Sequence, residues 1–357
     1  MAQFHKLKIQ DIYKETNDCS VVTFDVPKEL HSEFEFRQGQ HLTLKADING
    51  EDVRRSYSLC SSPIDRQWKV AVKQIPGGKF STFINESLKT GDVIEVMPPS
   101  GAFGVSIAPD KAKNYLFFAA GSGITPVLSM IKTHLKSESN ATCKLFYVNK
   151  TAKSIIFKEE LEQLRNAFFG RLEIYYFLTK ERRDIELFNG RFDDEKMNVL
   201  TKTFIDIPDT NEVFLCGPEQ MVNYVSEYLV QAGLPKELVH YELFVSGLSE
   251  EDIKRAERLA QQNVEGTEVV IVDGGKEFLF TMTKDYDNIL DAALNAGADL
   301  PFACKGGVCS TCKCQVKEGE VEMKINYALE DKEVQQNYVL SCQAVPTTDK
   351  VVVDFDV

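Results

Sequence analysis

The chain has 357 residues, which predicts two or three domains at roughly 100–200 residues per domain. Hydrophobic residues make up 43% and charged residues 27%, so the composition excludes intrinsic disorder. The net charge of −13 argues against nucleic acid or an anionic membrane as a partner. Residues 266–357 are the acidic piece, with 8 Lys, no Arg and 16 Asp and Glu. A partner that docks on this segment should therefore be basic.

The start of the chain enters a charged amphipathic strand without an apolar core region, which predicts no signal peptide and a cytoplasmic protein. Residues 114–131 are free of charge but are interrupted by Gly121, Gly123 and Pro126. We therefore expect a strand, a turn and a helix there, and no membrane span.

Residues 1–109 are predicted to form an antiparallel β-barrel. Turn residues separate the alternating apolar runs, and one helix is expected near Ser81–Leu88. Six strands at this spacing suggest a small barrel. The six runs are Phe4–Tyr13, Ser20–Val26, His41–Ile48, Arg54–Cys60, Trp68–Ile75 and Val93–Met97.

In residues 110–245, five apolar runs alternate with helical patterns, which predicts an α/β domain. This pattern is typical of a parallel sheet with helices on both faces. The polar stretch 246–265 is predicted to be a linker that includes a short helix. Residues 266–357 then form a third, α+β unit, with two strands across Gly274-Gly275 and a helix at Asp287–Ala296.

Four cysteines of the third unit, Cys304, Cys309, Cys312 and Cys342, have the C-x4-C-x2-C…C spacing of a plant-type 2Fe–2S site. Gly306-Gly307 lets backbone amides turn toward the sulfides. A tetrahedral zinc site and unrelated core cysteines are the alternatives, although structural zinc prefers two paired C-x2-C knuckles. Cys314 is expected to pack in the core. The segment resembles a plant-type ferredoxin, a β-grasp domain in which these four cysteines hold a one-electron cluster.

Two motifs of the first domain belong together. Arg55-Ser56-Tyr57-Ser58 lies on a predicted strand, and Gly77-Gly78-Lys79-Phe80-Ser81 opens the predicted helix, where a pyrophosphate could bind. With the barrel, they resemble the flavin domain of the ferredoxin–NADP reductase superfamily. The resemblance implies that Tyr57 stacks on the isoalloxazine, Arg55 pairs with the pyrophosphate and Ser58 lies near flavin N5. It also implies that Gly78 to Ser81 hold the phosphates, and it favours FAD over FMN.

Gly121-Ser122-Gly123-Ile124-Thr125-Pro126 follows the first parallel strand, with Pro126 expected at the first helical position. It resembles the G-x-G-x-x-P turn of the same superfamily, which binds the nicotinamide nucleotide. Cys216-Gly217-Pro218 ends a later strand, and Pro218 is expected just inside the start of the helix that follows. In that family, the Cys-Gly-Pro segment lies beside the nicotinamide. Considered alone, Cys216 is equally well a buried small hydrophobe.

NADPH is predicted as the electron donor, and NADH is possible. The strand that ends at Val148-Asn149-Lys150 has no acid at its end, where NAD-specific sites place one. Thr179-Lys180-Glu181 resembles the Ser-Arg-Glu of plant reductases, in which the first two residues hold the 2′-phosphate. A basic loop that faces water would look the same.

The second domain ends on His240-Tyr241-Glu242-Leu243-Phe244. This strand resembles the one that returns to the flavin in oxygenase reductases, which implies that Glu242 and Phe244 lie near the flavin. An alternating strand end is also an ordinary packing feature. Ser58, Cys216 and Glu242 are the catalytic residues predicted on these grounds.

The order of the three modules resembles the reductase components of multicomponent oxygenases. It implies electron transfer from NADPH to FAD, to the 2Fe–2S cluster and then to a partner oxygenase. Residues 77–82 and 149–152 are similar to those of phenylacetyl-CoA epoxygenase reductases, which act in phenylacetate degradation. Reductases of ring-hydroxylating dioxygenases and ketosteroid hydroxylases share the layout. A non-catalytic redox sensor is the alternative from another class of protein.

Overall fold

The computed structural model describes residues 3–244, 254–255, 258–259 and 266–356. They pack into two compact units. The first consists of residues 6–53 and 57–244, and the second of the described residues among 1–5, 54–56 and 245–357. Apart from four positions, the predicted linker 246–265 lies outside the described residues. No helix in the described ranges is long and apolar enough to cross a membrane.

The first unit begins with most of an antiparallel sheet in the order β4-β3-β6-β1-β2-β5; His5 of β1 and residues 54–56 of β4 are counted with the second unit. Alternation along β1 turns Leu7 and Ile9 into the core, where both are fully buried. One helix, α1 at Lys79–Glu86, packs against this sheet. The strands are β1 His5–Thr16, β2 Cys19–Asp25, β3 His41–Ile48, β4 Glu51–Ser58, β5 Trp68–Lys73 and β6 Val93–Val96.

The rest of the first unit is a five-stranded parallel sheet in the order β11-β10-β7-β8-β9. The five central residues of β7, Tyr115–Ala119, are all buried. Successive residues of a strand point to opposite faces, so both faces of this sheet are covered. The strands are β7 Asn114–Ala120, β8 Thr142–Asn149, β9 Leu172–Leu178, β10 Glu212–Gly217 and β11 Val239–Leu243, with helices α2 Ile124–Ser137, α3 Lys158–Ala167, α4 Asp194–Thr203 and α5 Glu219–Gln231.

Two prolines start helices differently from the prediction. Pro126 is the third residue of α2, because the helix begins at Ile124 rather than at the proline. Its missing N–H still falls in the first turn, where backbone N–H groups have no helical acceptor. Pro218 is the cap residue before α5, with extended backbone angles, and not the first helical residue.

The parallel sheet reverses its strand order between β7 and β10. From β7, the chain adds β8 and β9 on one side and then β10 and β11 on the other. Ligands of open α/β sheets bind beyond the carboxyl ends of the strands at such a switch point. The turn at Gly121–Gly123 and the Cys216–Pro218 segment both lie there.

The second unit contains a mixed sheet in the order β13-β12-β18-β14-β16 and a small antiparallel pair, β15 with β17. β12 and β18 are parallel, and β12 and β13 form the predicted hairpin across Gly274-Gly275. Cys314 is fully buried in its core. The strands are β12 Thr267–Asp273, β13 Lys276–Met282, β14 Lys313–Glu318, β15 Val321–Met323, β16 Tyr338–Leu340, β17 Ala344–Pro346 and β18 Lys350–Asp354, with helices α6 Ile289–Asn295 and α7 Asp331–Gln335.

The predicted fold class is confirmed: an antiparallel sheet, a parallel α/β sheet and a mixed α+β sheet follow one another along the chain.

Candidate functional site

The two motifs of the first sheet meet in the fold. The Tyr57 ring, on β4, lies 6.0 Å from the Phe80 ring, on α1, at an interplanar angle of 37°. Phe80 is buried and Tyr57 is half-buried against the same core. Ser58, the next residue on β4, is buried, whereas Arg55 is exposed and donates from Nη1 to the Arg54 carbonyl at 2.7 Å.

The turn before α1 is closed by its own hydrogen bonds. The Gly78 N–H donates to the Ile75 carbonyl at 2.9 Å, and the Ile75 N–H donates to Ser81 Oγ at 3.1 Å. The Gly78 N–H is therefore used within the turn. The N–H groups of Lys79, Phe80 and Ser81 begin the helix and have no acceptor within it, so they can hold an anion. The Lys79 ammonium is paired with a carboxylate on β4, that of Glu51.

The turn at Gly121–Gly123 touches the end of β10 through backbone atoms. A Cβ on Gly123 would lie only 2.1 Å from the Cys216 carbonyl oxygen. Gly217 has φ +158°, a backbone conformation that side chains disfavour. The Thr125 hydroxyl is buried and donates to the Ser122 carbonyl at 3.0 Å. The Thr125 side chain thus closes the turn, and only glycine at position 123 allows the turn to lie against β10.

The three residues predicted to be catalytic lie together. Ser58 Oγ donates to Glu242 Oε2 at 3.1 Å, and Glu242 lies opposite Cys216 in the β10–β11 register. Burial, and next the Glu242 charge, raise the pKa of the Cys216 thiol well above its usual value. Cys216 is therefore a neutral thiol. The Phe244 ring packs against the core of the parallel sheet, and its N–H donates to the Gly217 carbonyl at 3.5 Å.

The ends of β8 and β9 carry the residues predicted to recognise the 2′-phosphate. The Thr179 and Lys180 N–H groups donate to the Asn149 and Lys150 carbonyls, at 2.9 and 2.8 Å. Lys150 and Lys180 are both exposed. The Glu181 carboxylate accepts a backbone N–H of the loop after β8 at 2.8 Å. The two strand ends therefore form one basic edge, and the Glu181 carboxylate beside it accepts a hydrogen bond from a backbone N–H.

The four predicted cluster ligands form two pairs. The Cys309 and Cys304 sulfurs are 3.1 Å apart, and the Cys312 thiol donates to the Cys342 sulfur. Two pairs of thiols suit a cluster of two irons, whereas zinc takes four ligands around one ion. The residues present therefore fit a 2Fe–2S cluster.

In each pair, one hydrogen bond favours the thiolate form of the acceptor and raises the pKa of the donor, Cys309 or Cys312, well above its usual value. The Cys309 thiol lowers the pKa of Cys304 to about 6, mainly by donating to its sulfur. The hydrogen bond from Cys312 likewise lowers the pKa of Cys342. The Gly306 N–H donates to the Cys304 sulfur at 3.3 Å. Thiolates are the form that binds iron.

No motif in the sequence points to Lys73, at the end of β5. Its ammonium lies 3.9 Å from where a Cβ on Gly121 would be, and 3.6 Å from Asp18 Oδ2. Tyr147 OH, on β8, holds the same turn by donating to the Gly121 carbonyl at 2.9 Å. No spacing in the sequence relates Lys73 to Gly121, because they come from different sheets.

Three family models match consecutive parts of the chain. An oxidoreductase FAD-binding domain matches residues 6–104, an oxidoreductase NAD-binding domain matches residues 117–227, and a 2Fe-2S iron-sulfur cluster binding domain matches residues 271–347.

Known proteins resemble the chain over its whole length. One subunit of the 1,2-phenylacetyl-CoA epoxidase of Escherichia coli (strain K12) is 41% identical, and the match covers 100% of this chain and 99% of that protein. The ferredoxin reductase component of 3-ketosteroid-9-alpha-monooxygenase from Rhodococcus rhodochrous is 33% identical, over 98% of this chain and 96% of its own. The structure of phthalate dioxygenase reductase has the same fold, with a TM-score of 0.60, 24% identity and coverage of 99% of this chain and 98% of that one.

Proposed function

The chain belongs to the family of NAD(P)H-dependent reductases that join FAD-binding, NAD-binding and 2Fe–2S domains and serve oxygenases, and we propose that it takes electrons from NADPH for a phenylacetyl-CoA epoxidase. The protein is an oxidoreductase with FAD and a 2Fe–2S cluster as cofactors and NAD(P)H as substrate. The bound groups supply the conversion of a two-electron hydride into single electrons. The chain itself contributes binding, orientation and the exclusion of side reactions.

Ser58, Glu242 and Cys216 are our candidates for the residues around the hydride-transfer site. The Ser58 hydroxyl proton points to Glu242, so this hydrogen bond joins the flavin sheet to the nucleotide sheet. Cys216 offers a small neutral side chain at the carboxyl end of β10, where it is fully buried. None of the three has to remove a proton from the substrate, because hydride transfer needs no general base.

The flavin phosphates are assigned to the first turn of α1. Arg55, which the resemblance assigns to the pyrophosphate, is exposed. The nicotinamide nucleotide is assigned to the turn at Gly121–Gly123. Lys73 adds a positive charge beside that turn, and its distance from Gly121 supports a role in neutralising a pyrophosphate.

The preference for NADPH rests on the basic edge formed by β8 and β9. Lys150 and Lys180 lie at adjacent strand ends and both are exposed, so they can approach a 2′-phosphate. Substituting Lys180→Ala should raise the KM for NADPH about 10- to 150-fold, because a charge-assisted hydrogen bond to phosphate contributes about 1.5–3 kcal/mol. The KM for NADH should stay the same. Equal changes in both KM values would contradict the assignment.

The choice of partner rests on one observation, the 41% identity to a component of the Escherichia coli epoxidase over the full length of both proteins. The test is to mix the purified protein with the oxygenase subunits of a phenylacetyl-CoA epoxidase, phenylacetyl-CoA and NADPH. Epoxide formation in proportion to NADPH oxidation is the expected result. The matched control replaces those subunits with the oxygenase component of a ketosteroid hydroxylase and its substrate. Faster turnover with the control would overturn the proposed partner.

Reductases of ring-hydroxylating dioxygenases or of other NADH-dependent monooxygenases remain the alternative function, since relatives of several kinds align over nearly the whole chain. A redox sensor without turnover is separated from all of them by anaerobic mixing with NADPH and cytochrome c. Sustained cytochrome reduction is expected of a reductase. Loss of cluster colour without turnover would instead favour the sensor. A cytoplasmic location also remains a prediction.

A further inference from the structure

Gln343 follows the cluster ligand Cys342 and is buried. Its side-chain amide Nε2 donates to the Cys342 sulfur at 3.6 Å and to the Lys305 carbonyl at 3.0 Å. Lys305 follows Cys304, a ligand in the other cysteine pair. One amide therefore joins the loop that carries three ligands to the segment that carries the fourth.

Lys305, the residue to which Gln343 donates, has a strained backbone. Lys305 has φ +52°, in the left-handed region, which costs a residue with a side chain about 1–2 kcal/mol. Such conformations persist where surrounding contacts hold them. The Lys305 ammonium pairs with Asp291 Oδ1 at 2.6 Å, and its carbonyl accepts from Gln343. The strained residue is thus held at both ends.

We propose that Gln343 is a positioning residue that sets the reduction potential of the 2Fe–2S cluster, by donating to the Cys342 sulfur and fixing the Lys305 carbonyl. Reduction adds one negative charge, part of which resides on the ligand sulfurs. A donor aimed at a sulfur therefore stabilises the reduced state more than the oxidised state and raises the potential. The burial of Gln343 strengthens the effect, because water cannot take the place of the lost donor.

The test variant is Gln343→Met, which keeps the length of the side chain but has no N–H group. We expect the equilibrium constant for reduction of its cluster to be about tenfold lower than in the parent, which lowers the midpoint potential by about 59 mV for a one-electron couple. The measurement is a redox titration of the full-length protein, after iron and acid-labile sulfide have been shown to equal those of the parent. Gln315→Met is the matched control. Gln315 also donates from Nε2 to a backbone carbonyl, that of Gln336 at 2.8 Å, and its replacement should leave the potential unchanged.

A merely structural role for Gln343 predicts a different outcome. In that case Gln343→Met loads its cluster less stably, but the loaded fraction has the parent potential, and this result would overturn the proposal.

A second measurement needs no variant. Parent protein with ¹⁵N at the glutamine side-chain amides is reduced with dithionite and studied by pulsed EPR. We expect a ¹⁵N hyperfine coupling from one side-chain amide, and its absence would overturn the proposal even if Gln343→Met fails to fold.

Discussion

We expect Gly123→Ala to displace the turn at Gly121–Gly123 from β10. The added Cβ would lie 2.1 Å from the Cys216 carbonyl oxygen, 2.5 Å from its carbonyl carbon and 3.0 Å from the Gly217 nitrogen. Real Cβ atoms essentially never approach another heavy atom within 3.0 Å, so the turn must move away from β10 by about 0.9 Å. The obstacle is backbone, which has no rotamer to change. Overpacking of this kind costs about 1–3 kcal/mol of folding free energy.

The substitution should also slow hydride transfer. A misplacement of about 1 Å can slow a reaction by about 10²-fold, because the reacting atoms leave their aligned geometry. The assay is anaerobic stopped-flow measurement of flavin bleaching by NADPH, which isolates hydride transfer from later electron transfer. We expect a rate about 100-fold lower than that of the parent protein.

The matched control is Gly233→Ala, after α5 in the same unit. Gly233 has φ +102° and nothing within 4 Å of an added Cβ. Alanine there should cost about 1–2 kcal/mol of unfolding free energy through backbone strain alone and leave hydride transfer unchanged. Denaturant titration of both variants compares their stabilities. If Gly123→Ala transfers hydride within twofold of the parent rate, the assigned role of this turn is wrong.

Three further predictions concern single side chains. Burial lowers the pKa of His41 from 6.5 to about 4, so the unfolded chain binds the proton at a higher pH than the folded protein does. The free energy of unfolding should therefore fall by up to about 1.4 kcal/mol per pH unit as the pH drops from 6.5 to 4. Urea titrations at several pH values should show this slope in the parent protein and not in His41→Gln. Ser58→Ala should slow flavin bleaching about tenfold by leaving Glu242 without this donor, and an unchanged rate would count against its place at the site. Cys342→Ala should abolish iron and sulfide content and cytochrome c reduction while flavin bleaching by NADPH persists; loss of both reactions together would contradict the separation of the two functions.

Much of the secondary structure follows from local pattern. His41–Ile48 was predicted as a strand and is one, and the hairpin at Gly274-Gly275 pairs Asp273 with Lys276. These features depend on residues close in sequence, since alternation and turn chemistry are local properties. The helix starts at Pro126 and Pro218 were misplaced, because tertiary contacts decide how far a first turn extends.

The spacing of Cys304, Cys309, Cys312 and Cys342 predicts the cluster chemistry without any structure, because three ligands on one loop give a regular spacing in the sequence. Only the fold showed that Ser58 and Glu242, 184 residues apart, share a hydrogen bond. The fold also decided that position 123 excludes a Cβ and that Lys73 approaches the nucleotide turn. Contacts between distant segments follow no period along the chain, so they become visible only when two sheets pack together.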